Sequence, residues 1–341
     1  MRVGIYTLNG LYNFGNRLQN YALVSYINNN FDVEAFNIWI GKKNSKYKYY
    51  FKKILPLKKY NRYVNFYKFN QLIKTDYNIN NNYDCYIVGS DQVWNPQCME
   101  NLHDMYLLKT KDMVKKISYA ASFGVDYLPY EQIDMFKEGI EDFDFVSVRE
   151  DKGKEIIKDM LDDKKIEVLI DPTMLLSASE WKNVAKPPKS IKNIKNKKYI
   201  LNYFLGELSI ERKKEIEKIA TENNCIIIDM LDKNSPFYEC GPSEFIYLEM
   251  NAFLICTDSF HSSVFAFLFN KPFIVFERQE KGRNNMGSRI DTLLTKFNLK
   301  NRRFNGKTIT LDNLKHDYTE SYKILKTERE KANEFLKKAL K

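Results

Sequence analysis

The 341 residues include only 13 glycines and 9 prolines, which excludes a collagenous, low-complexity or linker-dominated chain. No apolar run approaches the ~18 residues of a membrane-spanning helix; the longest candidates, Val264–Phe269 and Phe273–Phe276, are short. The opening Met1-Arg2-Val3-Gly4-Ile5-Tyr6 runs straight into a strand-like stretch, without a signal-peptide core or a small-residue cleavage site. The five cysteines (85, 98, 225, 240 and 256) are scattered and lack any C-x-x-C spacing, so neither a disulfide framework nor a zinc knuckle is supported. A folded protein of a reducing cytoplasm is expected. Histidine is scarce, with three residues (103, 261, 316), and there is no H-E-x-x-H, G-x-G-x-x-G or Walker A motif. Metal, nicotinamide and P-loop chemistry therefore lose support together, and neither a metal nor a cofactor is expected.

Acidic residues are missing altogether from Ala35 to Thr75, where ten lysines and Arg62 supply eleven positive charges. The formal net charge of the whole chain is +10, so the remainder is close to neutral, which argues against a nucleic-acid-coating protein. The same segment is rich in rings, among them Tyr47, Tyr49, Tyr50, Phe51, Tyr60, Tyr63, Phe66, Tyr67 and Phe69. Two readings stay open: solvated helices with lysines outward and rings inward, or an arm that docks peripherally on an anionic membrane.

What is present is a strand–helix alternation. Buried strands are predicted at Arg2–Leu8, Cys85–Val88, Lys116–Ala121, Phe145–Val148 and Glu167–Ile170, with a helix at Asp151–Leu161. A lysine-rich KPPKSIKNIKNKK segment then reads as an inter-domain linker. A second alternation follows, with strands at Tyr199–Tyr203, Cys225–Met230, Ala252–Thr257 and Pro272–Phe276. Between them lie helices at Ile210–Asn223, Pro242–Met250 and His261–Phe269. The pattern predicts an α/β domain over 1–185 carrying a basic aromatic insertion at 41–75, and a second α/β domain over 199–318. The tail, 319–341, places its apolar residues on one helical face that must be buried.

Ligands of open α/β sheets gather beyond the carboxyl ends of strands. There the sequence has Gly15-Asn16 at a turn into a helix, Gly89-Ser90-Asp91, Ser122-Phe123-Gly124, Arg149-Glu150-Asp151 and Asp171-Pro172-Thr173. Gly15 either presents N–H groups to an anion or merely permits the turn. Asp151 and Asp171 read equally well as caps, and Arg149 as an ion-pair partner of Glu150 or Asp151. The sharpest place is Thr257-Asp258-Ser259-Phe260-His261, where a histidine stands at a strand-to-helix junction. It is either a general acid or base, or a histidine satisfied by Asp258 or Ser259.

The segments NFGNRLQNYAL, YDCYIVGSDQVWNP, ISYAASFG, SVREDKG, LIDPTMLL, GPSEFIYLEMNA and TDSFHSSVFAFLFNKPFIVF, in this order, resemble the polysaccharide pyruvyl transferase family over about residues 1–300. The resemblance implies two Rossmann-like domains facing across a cleft, as in GT-B glycosyltransferases, with the C-terminal helix returning toward the first domain. It implies transfer of a pyruvyl group from phosphoenolpyruvate to a free or lipid-linked sugar of a bacterial surface glycan, forming a ketal and releasing phosphate. His261 matches the family's histidine and would be the acid or base, with Arg149 as anion clamp and Asp91 orienting or deprotonating the acceptor hydroxyl. Gly15, Asn16 and Ser122 would add donors to the phosphoenolpyruvate site. Some members carry an arginine where this chain has Ser259, so Arg278, Arg283 or Arg289 would complete that site. The alternatives are glycosyl transfer from a nucleotide sugar and a non-catalytic role in glycan assembly.

Overall fold

A computed structural model describes residues 1–40, 57–97, 103–109, 111, 113–194, 197–279, 287–306, 308–310 and 315–341. Among the described residues, eleven strands form two sheets, and every pairing within them is parallel. The first sheet contains β1 (Arg2–Tyr6), β2 (Glu34–Ile38), β3 (Thr75–Asp76), β4 (Cys85–Val88), β5 (Lys115–Ala121), β6 (Phe145–Val148) and β7 (Ile166–Val168), in the order 3-2-1-4-5-6-7. The second contains β8 (Tyr199–Tyr203), β9 (Ile226–Asp229), β10 (Leu254–Thr257) and β11 (Phe273–Val275), in the order 11-10-8-9. Parallel strands are covered by helices on both faces and so read as nearly continuous apolar runs. Cys85-Tyr-Ile-Val88 and Leu254-Ile-Cys-Thr257 are buried at every position.

Each order reverses once, between β1 and β4 in the first sheet and between β8 and β10 in the second. Such a reversal sends the two outgoing loops to opposite faces and opens a crevice beyond the strand ends. The first crevice receives the start of α1 (Phe14–Asn30) and the Gly89–Asp91 loop, and the second receives Asp258 to His261.

Of the acid-free segment, residues 41–56 lie outside the described residues. Its start lies in β2 and its later part forms α2 (Leu57–Asn70), whose Tyr63, Phe66 and Phe69 are buried. Arg62 is buried as well, its guanidinium 4.7 Å from the Phe14 ring, and it donates to the Tyr238 carbonyl at 3.0 Å. Asn65 reaches the Glu239 carbonyl from the same helix at 2.9 Å. For this part the reading with rings turned inward is the one the packing follows. The rings of α2 are core, and its cation bridges α1 and the second half.

Three further helices bear on the site: α3 (Asp151–Met160), α4 (Pro242–Asn251) and α5 (Phe260–Leu268). The last helix, α6 (Thr319–Ala339), buries Leu325, Ala332, Phe335, Leu336 and Ala339. Phe335 meets Tyr119 of β5 and Phe145 of β6, while Arg329 donates to the carbonyls of Met174 and Leu176 at 2.6 and 2.7 Å. The amphipathic tail thus returns to the first sheet. Among the described residues, no helix is long and apolar enough to cross a membrane.

Candidate active site

The two crevices meet at His261. Its ring lies against the α-carbon of Gly15 so closely that a β-carbon there would stand 2.1 Å from Nδ1 and 2.8 Å from Cγ. Gly15 sits inside the first turn of α1 with no unusual backbone angle, so close approach, rather than the turn, requires glycine. The other edge of the ring faces the first half too, with Nε2 at 3.6 Å from Oδ2 of Asp171. The partner is therefore a carboxylate beyond β7, not Asp258 or Ser259. Asp258 instead accepts the N–H groups of Leu205 and Gly206, both at 2.8 Å, and Arg278 Nε lies 3.5 Å from its Oδ2.

Asp171 does two jobs with its two oxygens. Oδ1 accepts from the N–H and hydroxyl of Thr173 at 3.0 and 2.7 Å, which is the turn cap suggested by the sequence. Oδ2 accepts from Arg149 at 2.7 Å and from the Ser90 hydroxyl at 3.1 Å. Burial works against this charge, but His261, Arg149 and Thr173 outweigh it and hold the carboxyl far below the usual range.

Arg149 is buried and turned inward. It donates to Asp171 and, at 3.3 Å, to Oδ1 of Asp91, and its guanidinium lies 4.6 Å from the centre of the Phe260 ring. Burial opposes its charge, yet Asp171, Asp91 and Glu150 raise its pKa. Arg149 is thus paired with Asp171 and Asp91, where the sequence suggested Glu150 or Asp151. Asp91, with φ 71°, follows β4 and links its loop to β5 through the Ser122 N–H, which donates to the Asp91 carbonyl at 3.0 Å.

Glu150 takes the donors expected to face an anion. Its Oε1 accepts from the Ser122 hydroxyl and the N–H groups of Phe123 and Gly124, at 2.9, 2.9 and 3.2 Å. The Asn16 N–H is likewise occupied, donating at 3.2 Å to Asn13 Oδ1, the cap of α1. Ser259 is the N-cap of α5, and its own N–H donates to the Thr257 hydroxyl at 3.0 Å.

Arg289 enters from α7 (Ser288–Lys296) of the second half and is buried. Burial, together with repulsion from Arg149, lowers its pKa to about 10, so it remains charged at neutral pH; Glu150 and Asp91 pull the other way. Arg289, Arg278, Arg303, Asp258 and Phe260 line one small pocket. Arg303 is held by Asp291, and Arg283 lies outside the described residues.

Four atoms of this cluster are buried with no hydrogen-bond partner: His261 Nε2, Arg149 Nε, Glu150 Oε2 and Arg289 Nε. Capacity of this kind can be taken up by ordered water or by a bound ligand. A ligand carrying both negative oxygens and hydroxyls would fill it, and the histidine beside it can move a proton.

The structure therefore brings together Gly15, Asp91, Ser122, Arg149, His261 and Arg289 of the residues expected from sequence, with Asn16, Ser259 and Arg278 in adjoining turns. It adds Asp171 and Glu150 in roles not foreseen. A further missed residue is Glu249 of α4, fully buried, with Oε1 accepting from the Ser262 hydroxyl at 2.5 Å and Oε2 unpartnered. Burial pushes its carboxyl well above the usual range. An acid inside the apolar run Phe245–Met250 of α4 was the available signal.

A family model described as polysaccharide pyruvyl transferase matches residues 13–280. Comparison with curated protein sequences returns no match. Among solved structures, the UDP-GlcNAc 2-epimerase of Neisseria meningitidis bound to UDP-GlcNAc is similar, with TM-score 0.54 and 10% identity, over 98% of this chain and 94% of that one. The UDP-GlcNAc 2-epimerase of Methanocaldococcus jannaschii, in complex with UDP-GlcNAc and UDP, aligns with TM-score 0.46 and 14% identity, over 96% of this chain and 99% of that one. The first of these carries the likeness of fold: two parallel α/β units of GT-B type.

Proposed function

Because the chain belongs to the polysaccharide pyruvyl transferase family, and is by that membership a transferase, we propose that it takes the pyruvyl group from phosphoenolpyruvate and places it on a sugar of a bacterial surface polysaccharide precursor. The methylene carbon of phosphoenolpyruvate gains a proton and becomes a methyl group, leaving positive charge on C2. One sugar hydroxyl adds there; a second then displaces phosphate by breaking the C2–O bond. Of the two hydroxyl protons, one balances the proton taken up by carbon and the other leaves with phosphate. The product is a cyclic ketal.

In this reading His261 delivers the proton to carbon and is recharged by the acceptor hydroxyl. Asp171, held ionised by its neighbours, stabilises the imidazolium, and Arg149 keeps Asp171 in place. Asp91 orients the acceptor hydroxyl. Arg149 is already paired with Asp171 and Asp91, so Arg289, with its unpartnered Nε, is the cation offered to the donor's carboxylate or phosphate, with Arg278 alongside. Ser259 leaves room at the mouth of α5, and Gly15 lets the ring sit against α1.

The observation that carries this reading is the set of unpartnered polar atoms on Arg149, Glu150 and Arg289 beside His261, where both crevices meet. Phosphate release from phosphoenolpyruvate, with ketal formation on a panel of sugars followed by mass spectrometry, tests it. Arg289→Gln should raise the KM for phosphoenolpyruvate about tenfold, the scale of one lost charge-assisted hydrogen bond, without lowering Tm. An unchanged KM removes Arg289 from the donor site. The second reading, transfer from a nucleotide sugar, is favoured by the likeness of fold to an epimerase crystallised with UDP-GlcNAc. Thermal stabilisation by UDP-GlcNAc but not by phosphoenolpyruvate would select it. The lysine excess between residues 42 and 74 would add weak attraction to an anionic membrane carrying a lipid-linked acceptor, checked by vesicle flotation at low and high salt.

A further inference from the structure

A groove of about 680 Å³ runs along the second half, beyond the ends of β8 and β11. It is lined by Arg212 and Glu215 of α8 (Ile210–Glu222), by Glu277, and by Phe304. Glu277 also lines the small arginine pocket of Arg278 and Arg289, and Phe304 directly follows Arg303 of that pocket. The groove thus adjoins the small arginine pocket through Glu277. Its size falls within the ~300–1,000 Å³ of small-molecule sites.

The lining has a particular chemistry. Glu211, Glu215 and Glu277 offer carboxylates and Arg212 a guanidinium, while Phe304 stacks on Phe276 at 4.7 Å and adds an apolar ring surface. Arg212 is fixed by donating to the Glu277 carbonyl at 2.7 Å, and Glu215 by accepting the Ile309 N–H at 3.1 Å. Carboxylates such as the held Glu215 accept from sugar hydroxyls, a guanidinium donates to them, and a ring packs on the C–H face of a pyranose. The three carboxylates outnumber the two cations of the lining, Arg212 and Lys214, so the groove disfavours a phosphate-rich ligand.

Resting on the transferase reading above, we propose that this groove is a distal subsite for a neutral oligosaccharide. It would hold the sugar units next to the one that receives the pyruvyl group. Specificity for a polymer precursor over a simple sugar would then arise here.

The test uses the full chain and an array of immobilised di- to tetrasaccharides of hexoses and N-acetylhexosamines, without donor. Wild-type protein should bind a subset of these, and Phe304→Leu and Arg212→Ala should each weaken that binding about tenfold. Leucine keeps the apolar packing on Phe276 but removes the flat ring, and thermal melts check that both variants fold. Arg212→Ala supplies a second reading should Phe304→Leu be unstable. Absence of binding by the wild type, or binding unaltered in both folded variants, overturns the subsite. Phosphate release with the bound oligosaccharides and with their terminal methyl glycosides is measured separately. There the variants should raise KM for the oligosaccharide only, with kcat unchanged; an equal rise for the methyl glycoside overturns the proposal. Array binding that depends on Phe304 without any phosphate release would support the subsite while defeating the transferase reading.

Discussion

Gly15→Ala perturbs the site by one methyl group. That methyl would stand 2.1 Å from Nδ1, 2.6 Å from Cε1 and 2.8 Å from Cγ of His261, whereas ordinary contact begins at 3.4 Å. All three are atoms of one rigid ring, so no flexible tip can swing away. Phe260 stands edge-on to the ring at 5.3 Å, and Asp171 is on its other side at 3.6 Å. The imidazole must therefore withdraw by roughly 1 Å, and a misplacement of that size at a reacting group costs on the order of 10²-fold in rate. Stability should change little. The backbone at this position is helical, where alanine gains roughly 0.5–1 kcal/mol over glycine, offsetting part of the ~1–3 kcal/mol of overpacking. The expected result is a kcat/KM lowered about a hundredfold in phosphate release, with a Tm within a few degrees of wild type. The His261 imidazole resonances should shift in the NMR spectrum. Activity within about threefold of wild type, or lost activity with unmoved imidazole resonances, would refute the placement of His261 against Gly15 as the working geometry.

Three other outcomes follow from the buried charges. Glu249 has a raised folded-state pKa, so between the unfolded value of ~4.3 and that raised value the folded protein holds a proton the unfolded chain has lost. Stability therefore falls as pH rises through this window. Glu249→Gln should flatten the slope, seen as a smaller fall of Tm with rising pH than in the wild type. Asp171 is the opposite case: its lowered pKa contributes stability that is fully present above the unfolded ~3.9 and is lost as pH falls below it. Asp171→Asn should destabilise by about 3–5 kcal/mol at neutral pH in urea unfolding, with the gap closing below about pH 4. Arg62→Ala should lose about 3 kcal/mol, since it removes a desolvated cation–π contact and a charge-assisted hydrogen bond to Tyr238. A loss below about 1 kcal/mol would place Arg62 in a solvated position.

Most strands were legible because a strand covered on both faces leaves an uninterrupted apolar run, as in Cys85–Val88 and Phe273–Val275. Two were not. β2 carries Asn37 in its interior, buried and accepting from Asn20 at 2.8 Å, so its polar character hides the strand. β3 has two residues and no pattern to read. His261 and Gly15 were both singled out by position after a strand, yet nothing local shows that one packs on the other across 246 positions of sequence.

By itself, then, the sequence determined the local elements, the parallel α/β class and the polar residues at strand ends, because these depend on periodicity and on neighbours in the chain. The partners of those polar residues were decided by tertiary structure alone. Asp171 rather than Asp258 faces His261, Arg149 turns inward, Glu150 occupies the Ser122–Gly124 donors, and the rings beside the lysines of α2 are core. Each depends on how two sheets close over one another. A buried charge takes whichever counter-charge or hydrogen bond the packing brings within about 3 Å, and sequence distance does not enter that choice.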